Sequence, residues 1–328
     1  MSMERISHAV ATGGLSLPEG KIALFGALAA DGLGDLDPKS VDVIQTLHPE
    51  FTVWEKRACA RTAPDGPYVA AIVTLPRARA LSQDMIARAI KAVPDGLIIV
   101  NGDKNHGIEP ILKALKPRVQ LLGHVSKAHG KCLWFQSSDA LADWALPEMS
   151  KNAEGDFTAP GVFSADAADP ASRLLAEALP TTLKGRFADL GAGWGWLSRE
   201  ILKRPGVTQL HLVEAELSAL NCARANVADD RASFHWHDAL TWKPPVTLDG
   251  IVMNPPFHTG RKGEPSLGQN FITTAARLLE PHGQLWMVAN RHLPYEATLE
   301  EKFRDVSEIA GTSKFKVLHA ARPSRPKR

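Results

Sequence analysis

Short apolar runs alternate with longer amphipathic ones through the second half of the chain. In order they are FADL (187–190), WLSREILKR (196–204), QLHLVEA (209–215), LSALNCARANV (217–227), SFHWHDA (233–239) and LDGIVMNPPF (248–257). The short runs suit buried strands, and the longer ones place apolar residues three and four apart, as a helix packed on a sheet requires. Strand and helix in turn predict a doubly wound, mostly parallel sheet. Further on, QNFITTAARLL (269–279) reads as a helix, GQLWMVAN (283–290) as a strand, the stretch near YEATLEEKF (295–303) as a helix, and SKFKVLHAA (313–321) as a last, antiparallel strand.

The first half repeats part of this order at an offset of about 180 to 190 residues. YVAAIVTLPRARA (68–80) stands beside LDGIVMNPPFHTG (248–260), GLIIVNGDKNHG (96–107) beside GQLWMVANRHLP (283–294), and SKAHGKCLWFQ (126–136) beside SKFKVLHAA. Three pairs in the same order predict a duplication. The expected architecture is therefore α/β, with two tandem domains over residues 1–150 and 151–328 and a polar connection around 149–161. The copies differ where chemistry would sit. Thr74, Leu75, Pro76 and Arg77 stand where the second copy has Asn254, Pro255, Pro256 and Phe257, and the first copy has no glycine-alternating turn.

Composition narrows the class. With 328 residues, 44% hydrophobic and 23% charged, the chain is long enough for two cores. It has no uninterrupted apolar run long enough to span a bilayer and no basic, then apolar, start, so a cytoplasmic address is expected. Cys59, Cys132 and Cys222 match no zinc spacing, which predicts free thiols and no metal. A formal net charge of +2 does not by itself mark a nucleic-acid binder. The basic end RPSRPKR reads as a solvated tail, with a transient RNA contact as the alternative.

The turn DLGAGWGW, between an apolar strand and a helical run, has the context of a nucleotide site. Glycine permits φ > 0 and close approach of a ligand to the backbone. Gly191, Gly193 and Gly195 give GxGxG, and Trp196 occupies the position where a dinucleotide fingerprint needs its third glycine. Glu214, about 25 residues beyond Asp189 at the end of the next strand, suits the two ribose hydroxyls of either NAD or S-adenosylmethionine. Asp238, at the end of a third strand, could accept from an adenine amino group. Taken singly, either acid could be an ordinary helix N-cap. Trp194 and Trp196 read as packing residues.

IVMNPPFHTG carries the reacting site. Two prolines stiffen the loop and remove two N–H donors, leaving carbonyl acceptors beside the Asn254 side-chain oxygen. That set suits a planar amine with two hydrogens to give. Such an amine is a poor nucleophile until both N–H groups are held and its lone pair is aimed, so positioning would carry the catalysis. Phe257 would stack on the base.

DLGAGWGWLS, LVEAE and NPPFHTG, preceded by GVFS (161–164) and followed by VAN (288–290), resemble class I S-adenosylmethionine-dependent methyltransferases. Nearly the whole chain resembles the bacterial ribosomal RNA guanine-N2 methyltransferases of the small-subunit type, whose N-terminal domain is a degenerate copy. The resemblance implies two Rossmann-like methyltransferase domains, with Asp189, Gly191, Gly193 and Gly195 around the methionine and ribose of S-adenosylmethionine. It also implies Glu214 on the ribose, Asp238 on the adenine, Phe163 and Ser164 near the methionine end, and Asn254 beside the cofactor as well as at the acceptor. Asn254, Pro255, Pro256 and Phe257 would hold the target guanine, flipped or unpaired, in ribosomal RNA or the small ribosomal subunit. Arg77, Arg79, Lys104 and Lys127 become candidate RNA contacts, and the oligomeric state stays open. Related NPP loops methylate adenine N6 or a protein glutamine amide, and a cofactor-binding ribosome-assembly factor without turnover would share the glycine turn. The HTG continuation and the duplication favour the guanine enzyme.

Overall fold

A computed structural model describes residues 2–256 and 265–324. The chain forms two compact units, residues 1–148 and 149–328. In the first, the strands are β1 (Ile22–Phe25), β2 (Val41–Ile44), β3 (Cys59–Arg61), β4 (Ala70–Thr74), β5 (Leu97–Asp103), β6 (Leu121–Lys127) and β7 (Gly130–Gln136). Its helices are α1 (Ser2–Ala11), α2 (His48–Trp54), α3 (Arg79–Ala92) and α4 (Ile108–Leu115). In the second unit a small hairpin, β8 (Ser150–Lys151) with β9 (Phe157–Thr158), occupies the polar stretch around 149–161. The main sheet then follows as β10 (Gly185–Leu190), β11 (Val207–Glu214), β12 (Ala232–Trp236), β13 (Leu248–Met253), β14 (Leu279–Asn290), β15 (Phe303–Gly311) and β16 (Phe315–Pro323). It is flanked by α5 (Pro170–Ala178), α6 (Trp196–Leu202), α7 (Leu217–Asn226), α8 (Pro265–Leu278) and α9 (Glu296–Lys302).

The strand orders are β3-β2-β1-β4-β5-β7-β6 and β12-β11-β10-β13-β14-β16-β15. They are the same order twice, so the repeats read from the sequence are repeats of topology. In each sheet the first five strands run parallel and the last two pair antiparallel. Both faces are covered, as a parallel sheet requires. In the second unit Ala188, Leu190, Ile251, Met253 and Met287 pack toward α8 and α9, while Phe187, Val252, Trp286 and Val288 pack toward α5, α6 and α7. This alternation along each strand is the period-two side-chain pattern. Strand β15 was not evident in the sequence, because an edge strand exposed along most of its length shows no apolar run.

Chain order reverses between β10 and β13, which lie side by side. Ligands of open α/β sheets bind outside the carboxyl ends of the strands at such a switch point. The turn after β10 and the loop after β13 meet there.

Candidate functional site

At the end of β10 the chain turns through Gly191 (φ +80), Gly193 (φ +56) and Gly195 (φ +89), conformations that a side chain strains. The Gly191 and Ala192 N–H groups donate to the Val213 carbonyl, at 2.8 and 3.1 Å, which seats the turn on β11. The three glycines differ in purpose. A Cβ at Gly193 would meet nothing within 4 Å, and one at Gly191 only Phe271, at 3.9 Å, so both face open space. At Gly195 it would stand 2.8 Å from Val227 Cγ2 and 3.1 Å from Ala223, so this glycine serves the close approach of α7.

Two carboxylates flank the turn. Glu214, last in β11, accepts the Gly193 N–H with Oε2 and the Glu216 N–H with Oε1, both at 2.8 Å. Burial pushes its pKa up against the pull of these N–H groups. Asp189, in β10, is buried; its Oδ2 accepts the Ser198 hydroxyl at 2.7 Å and its Oδ1 has no partner among the described residues. Burial, with the Glu214 charge behind it, raises the Asp189 pKa to about 7. Such a pair would repel a pyrophosphate and is offset by a positively charged ligand. The sulfonium and ammonium of S-adenosylmethionine suit these two acceptor carboxylates better than the diphosphate of a dinucleotide would.

Asp238 follows β12. Its Oδ1 accepts the Leu240 N–H at 2.9 Å and its carbonyl accepts from Thr241 and Trp242, so it caps a turn and leaves Oδ2 outside that cap. Phe163 is 66% exposed, and its carbonyl accepts the Trp194 indole N–H at 3.1 Å. Trp194 is buried against Cys222, Ala159 and Ala168, and its own carbonyl accepts Asn226 Nδ2 at 2.9 Å. The tryptophan therefore fastens the segment around Phe163 to the glycine turn. Trp196 opens α6, with the Arg173 guanidinium 5.2 Å from its ring centre.

Asn254 leaves β13 at the switch point. Its Nδ2 donates to Asp169 Oδ2 and to Ser172 Oγ, each at 2.9 Å, and its Oδ1 is buried without a partner among the described residues. Pro255 is buried and Pro256 exposed. Phe257, expected to stack on the acceptor, lies outside the described residues. Asp169 and Ser172 escaped the sequence reading. Their signal was the local one of a helix start, Asp-Pro-x-Ser, and the fold carries that start to a residue about 80 positions away.

The first unit shows what the same framework looks like without the site. By strand register Gln45 stands at the place of Glu214 and Thr74 at that of Asn254. Gln45 spends its amide on its own chain, donating to the Ala27 carbonyl and accepting the Thr46 and Leu47 N–H groups. The Trp54 indole donates to the same carbonyl, and a Cβ at Gly26 would lie 2.7 Å from Met85 Cε. The crevice is closed by side chains. Exposed Arg77, Arg79, Lys104 and Lys127 all lie along the carboxyl edge of the parallel strands in this unit.

Among the described residues no cluster of His, Cys, Asp or Glu could hold a metal, and no helix is long and apolar enough to cross a membrane.

Comparison with known proteins agrees with this geometry. The family described as "Methyltransferase small domain" matches residues 157–319. The chain is 31% identical over 265 residues to the ribosomal RNA small subunit methyltransferase C of Shewanella baltica strain OS195, spanning 77% of this chain and 76% of that one. The protein of the same name from Shewanella loihica is 29% identical, with 76% and 75% covered. Among solved structures, a T. thermophilus 16S rRNA guanine-N2 methyltransferase (RsmC) in complex with AdoMet and guanosine is similar with a TM-score of 0.75 and 26% identity. The likeness covers 94% of this chain and 90% of that one.

Proposed function

This chain belongs to the family of the ribosomal RNA small subunit methyltransferases C, and on that premise we propose that it transfers the methyl group of S-adenosylmethionine to the exocyclic N2 of a guanine in 16S ribosomal RNA. The observation that carries the reading is Asn254 Oδ1 at the switch point, buried and without a partner among the described residues, beside an open glycine turn flanked by two carboxylates. Gly191 and Gly193 would lie along the cofactor, Glu214 would take the ribose hydroxyls, Asp238 Oδ2 the adenine amine, and Asp189 would balance the positive charge. When bound, the cofactor supplies a methyl group on a positively charged sulfur.

The residues of the chain prepare the acceptor. Guanine N2 is a weak nucleophile because its lone pair is shared with the ring. Asn254 Oδ1 and the Pro255 carbonyl would accept its two N–H groups, favour a pyramidal nitrogen and turn the lone pair toward the methyl. A stacked base cannot reach this crevice, so the guanine must be unpaired or flipped out. The row of basic residues on the first unit would contact the surrounding phosphates, with the closed crevice there left to a docking or stabilising role. With that substrate the enzyme would act in the cytoplasm, on ribosomal RNA or the small subunit.

The test offers labelled S-adenosylmethionine with naked 16S rRNA, with small subunits and with a release-factor protein, and then identifies the methylated product. Label in N2-methylguanosine is the expected outcome. Label in N6-methyladenosine or in protein glutamine, or cofactor binding with no transfer to any acceptor, overturns it.

A further inference from the structure

We propose that Asp169 and Ser172 are positioning residues that fix the orientation of the Asn254 amide, so that Oδ1 rather than Nδ2 meets the amine to be methylated; this rests on the guanine-N2 reading above. An asparagine side chain is nearly the same shape after a half-turn about χ2, but the turn exchanges an acceptor for two donors. Facing an amine, the turned amide would set N–H groups against N–H groups. The loop after β13 needs something to hold one orientation.

Asp169 does so by valence. An ionised carboxylate can only accept, so whichever end of the Asn254 amide lies 2.9 Å from Asp169 Oδ2 must be the nitrogen. Ser172 Oγ, also at 2.9 Å, takes the second hydrogen. Both hydrogens on Nδ2 are then engaged, and Oδ1 is left buried and, among the described residues, without a partner. A buried acceptor without a donor is costly, which makes its retention a sign of use.

The acceptors are rigid because they begin a helix. Asp169 is the N-cap of α5, with Pro170 in the first turn; its Oδ2 accepts the Ser172 N–H at 2.9 Å and its carbonyl accepts the Arg173 N–H at 3.0 Å. Ala171 and Leu175 bury the next turn in the core. One carboxylate oxygen thus caps the helix and orients the asparagine. Thr74, at the corresponding register in the first unit, has no amide to orient.

Affinity for guanosine against inosine, which lacks the 2-amine, reads the orientation without turnover. It would be measured by calorimetry on the full chain with S-adenosylhomocysteine present, alongside kcat and KM on small subunits. The wild type should prefer guanosine by about tenfold or more, the net value of the hydrogen bonds made by its 2-amine. Asp169→Asn keeps an oxygen that the Ser172 N–H holds in place, and should retain the preference and kcat within about threefold. Asp169→Ser still caps the helix but withdraws the carboxylate; the preference should fall to near parity and kcat by roughly tenfold or more, with KM for S-adenosylmethionine unchanged. Should that variant fold poorly, Ser172→Ala leaves the cap intact and should lower both readouts by about five- to tenfold, beyond the threefold allowed to Asp169→Asn. Full preference and full kcat in Asp169→Ser or, where that variant folds poorly, in Ser172→Ala overturn the positioning role. Parity in the wild type itself overturns the underlying guanine-N2 reading instead.

Discussion

The Gly193 N–H donates to Glu214 Oε2 at 2.8 Å, so the residue expected to bind the ribose also braces the turn proposed to carry the cofactor. Glu214→Ala should lower affinity for S-adenosylmethionine by about 10- to 100-fold, the worth of one or two hydrogen bonds to a charged group. Glu214→Gln, which keeps an acceptor for Gly193, should lose less. Calorimetric titration of both variants checks this ordering, and equal losses would contradict it.

The neighbouring glycines should separate binding from stability. Gly195→Ala strains a φ of +89 and drives a Cβ against Val227 and Ala223, so it should destabilise the fold by about 2–4 kcal/mol. Gly193→Ala meets nothing within 4 Å and should cost about 1–2 kcal/mol in backbone strain, yet weaken cofactor binding more, because its Cβ enters the open cradle. Thermal unfolding and cofactor titration of the two variants read the two effects.

Much of this site was legible in the sequence. The alternation of runs from Phe187 to Phe257 fixed strand and helix order, and GxGxG with Trp196 excluded the dinucleotide fingerprint. Asn254-Pro255-Pro256 offers hydrogen-bond acceptors by residue type alone, which is what made it a candidate. What escaped was set by tertiary contact. Asp169 and Ser172 look like any helix start until topology brings α5 to the end of β13, and Trp194 shows its reach to the Phe163 carbonyl only once the turn is folded. Gly195 reads like its two neighbours in sequence and differs only in what stands opposite its missing side chain.

Asp189 sets stability against binding. Its folded pKa, about 7, is raised above the unfolded value of 3.8, so the folded state holds a proton that the unfolded state releases. That contribution is present at low pH and is lost as pH rises through 7. Asp189→Asn keeps an acceptor for Ser198 without the charge. At pH 8 the cofactor-free variant should be more stable than the wild type, by on the order of 2–4 kcal/mol, and should bind S-adenosylmethionine more weakly. Denaturant unfolding at pH 5 and pH 8 tests this; no gain at pH 8 would count against a destabilising buried carboxylate.

His211 works in the opposite sense. Its Nδ1 lies 3.0 Å from His235 Nε2 and its ring packs against Trp242, and burial, reinforced by His235, lowers its pKa to about 4. The stability it contributes is complete above the unfolded value of about 6.5 and is lost as pH falls toward 4. Because Asp189 slopes the other way over the same range, the loss is best read in the Asp189→Asn background, with the His211 ring followed by NMR. A ring that titrates near 6.5 would remove the basis for this prediction.

In the proposed division of roles Asn254 would accept from the amine rather than hold the cofactor. The direct measurement is Asn254→Ala, with the dissociation constant for S-adenosylmethionine from calorimetry and the single-turnover rate of methyl transfer to small subunits. Transfer should fall by about 10²- to 10³-fold while cofactor affinity stays within about twofold. A parallel loss of both, or transfer at the wild-type rate, would show that Asn254 does not act on the amine in this way.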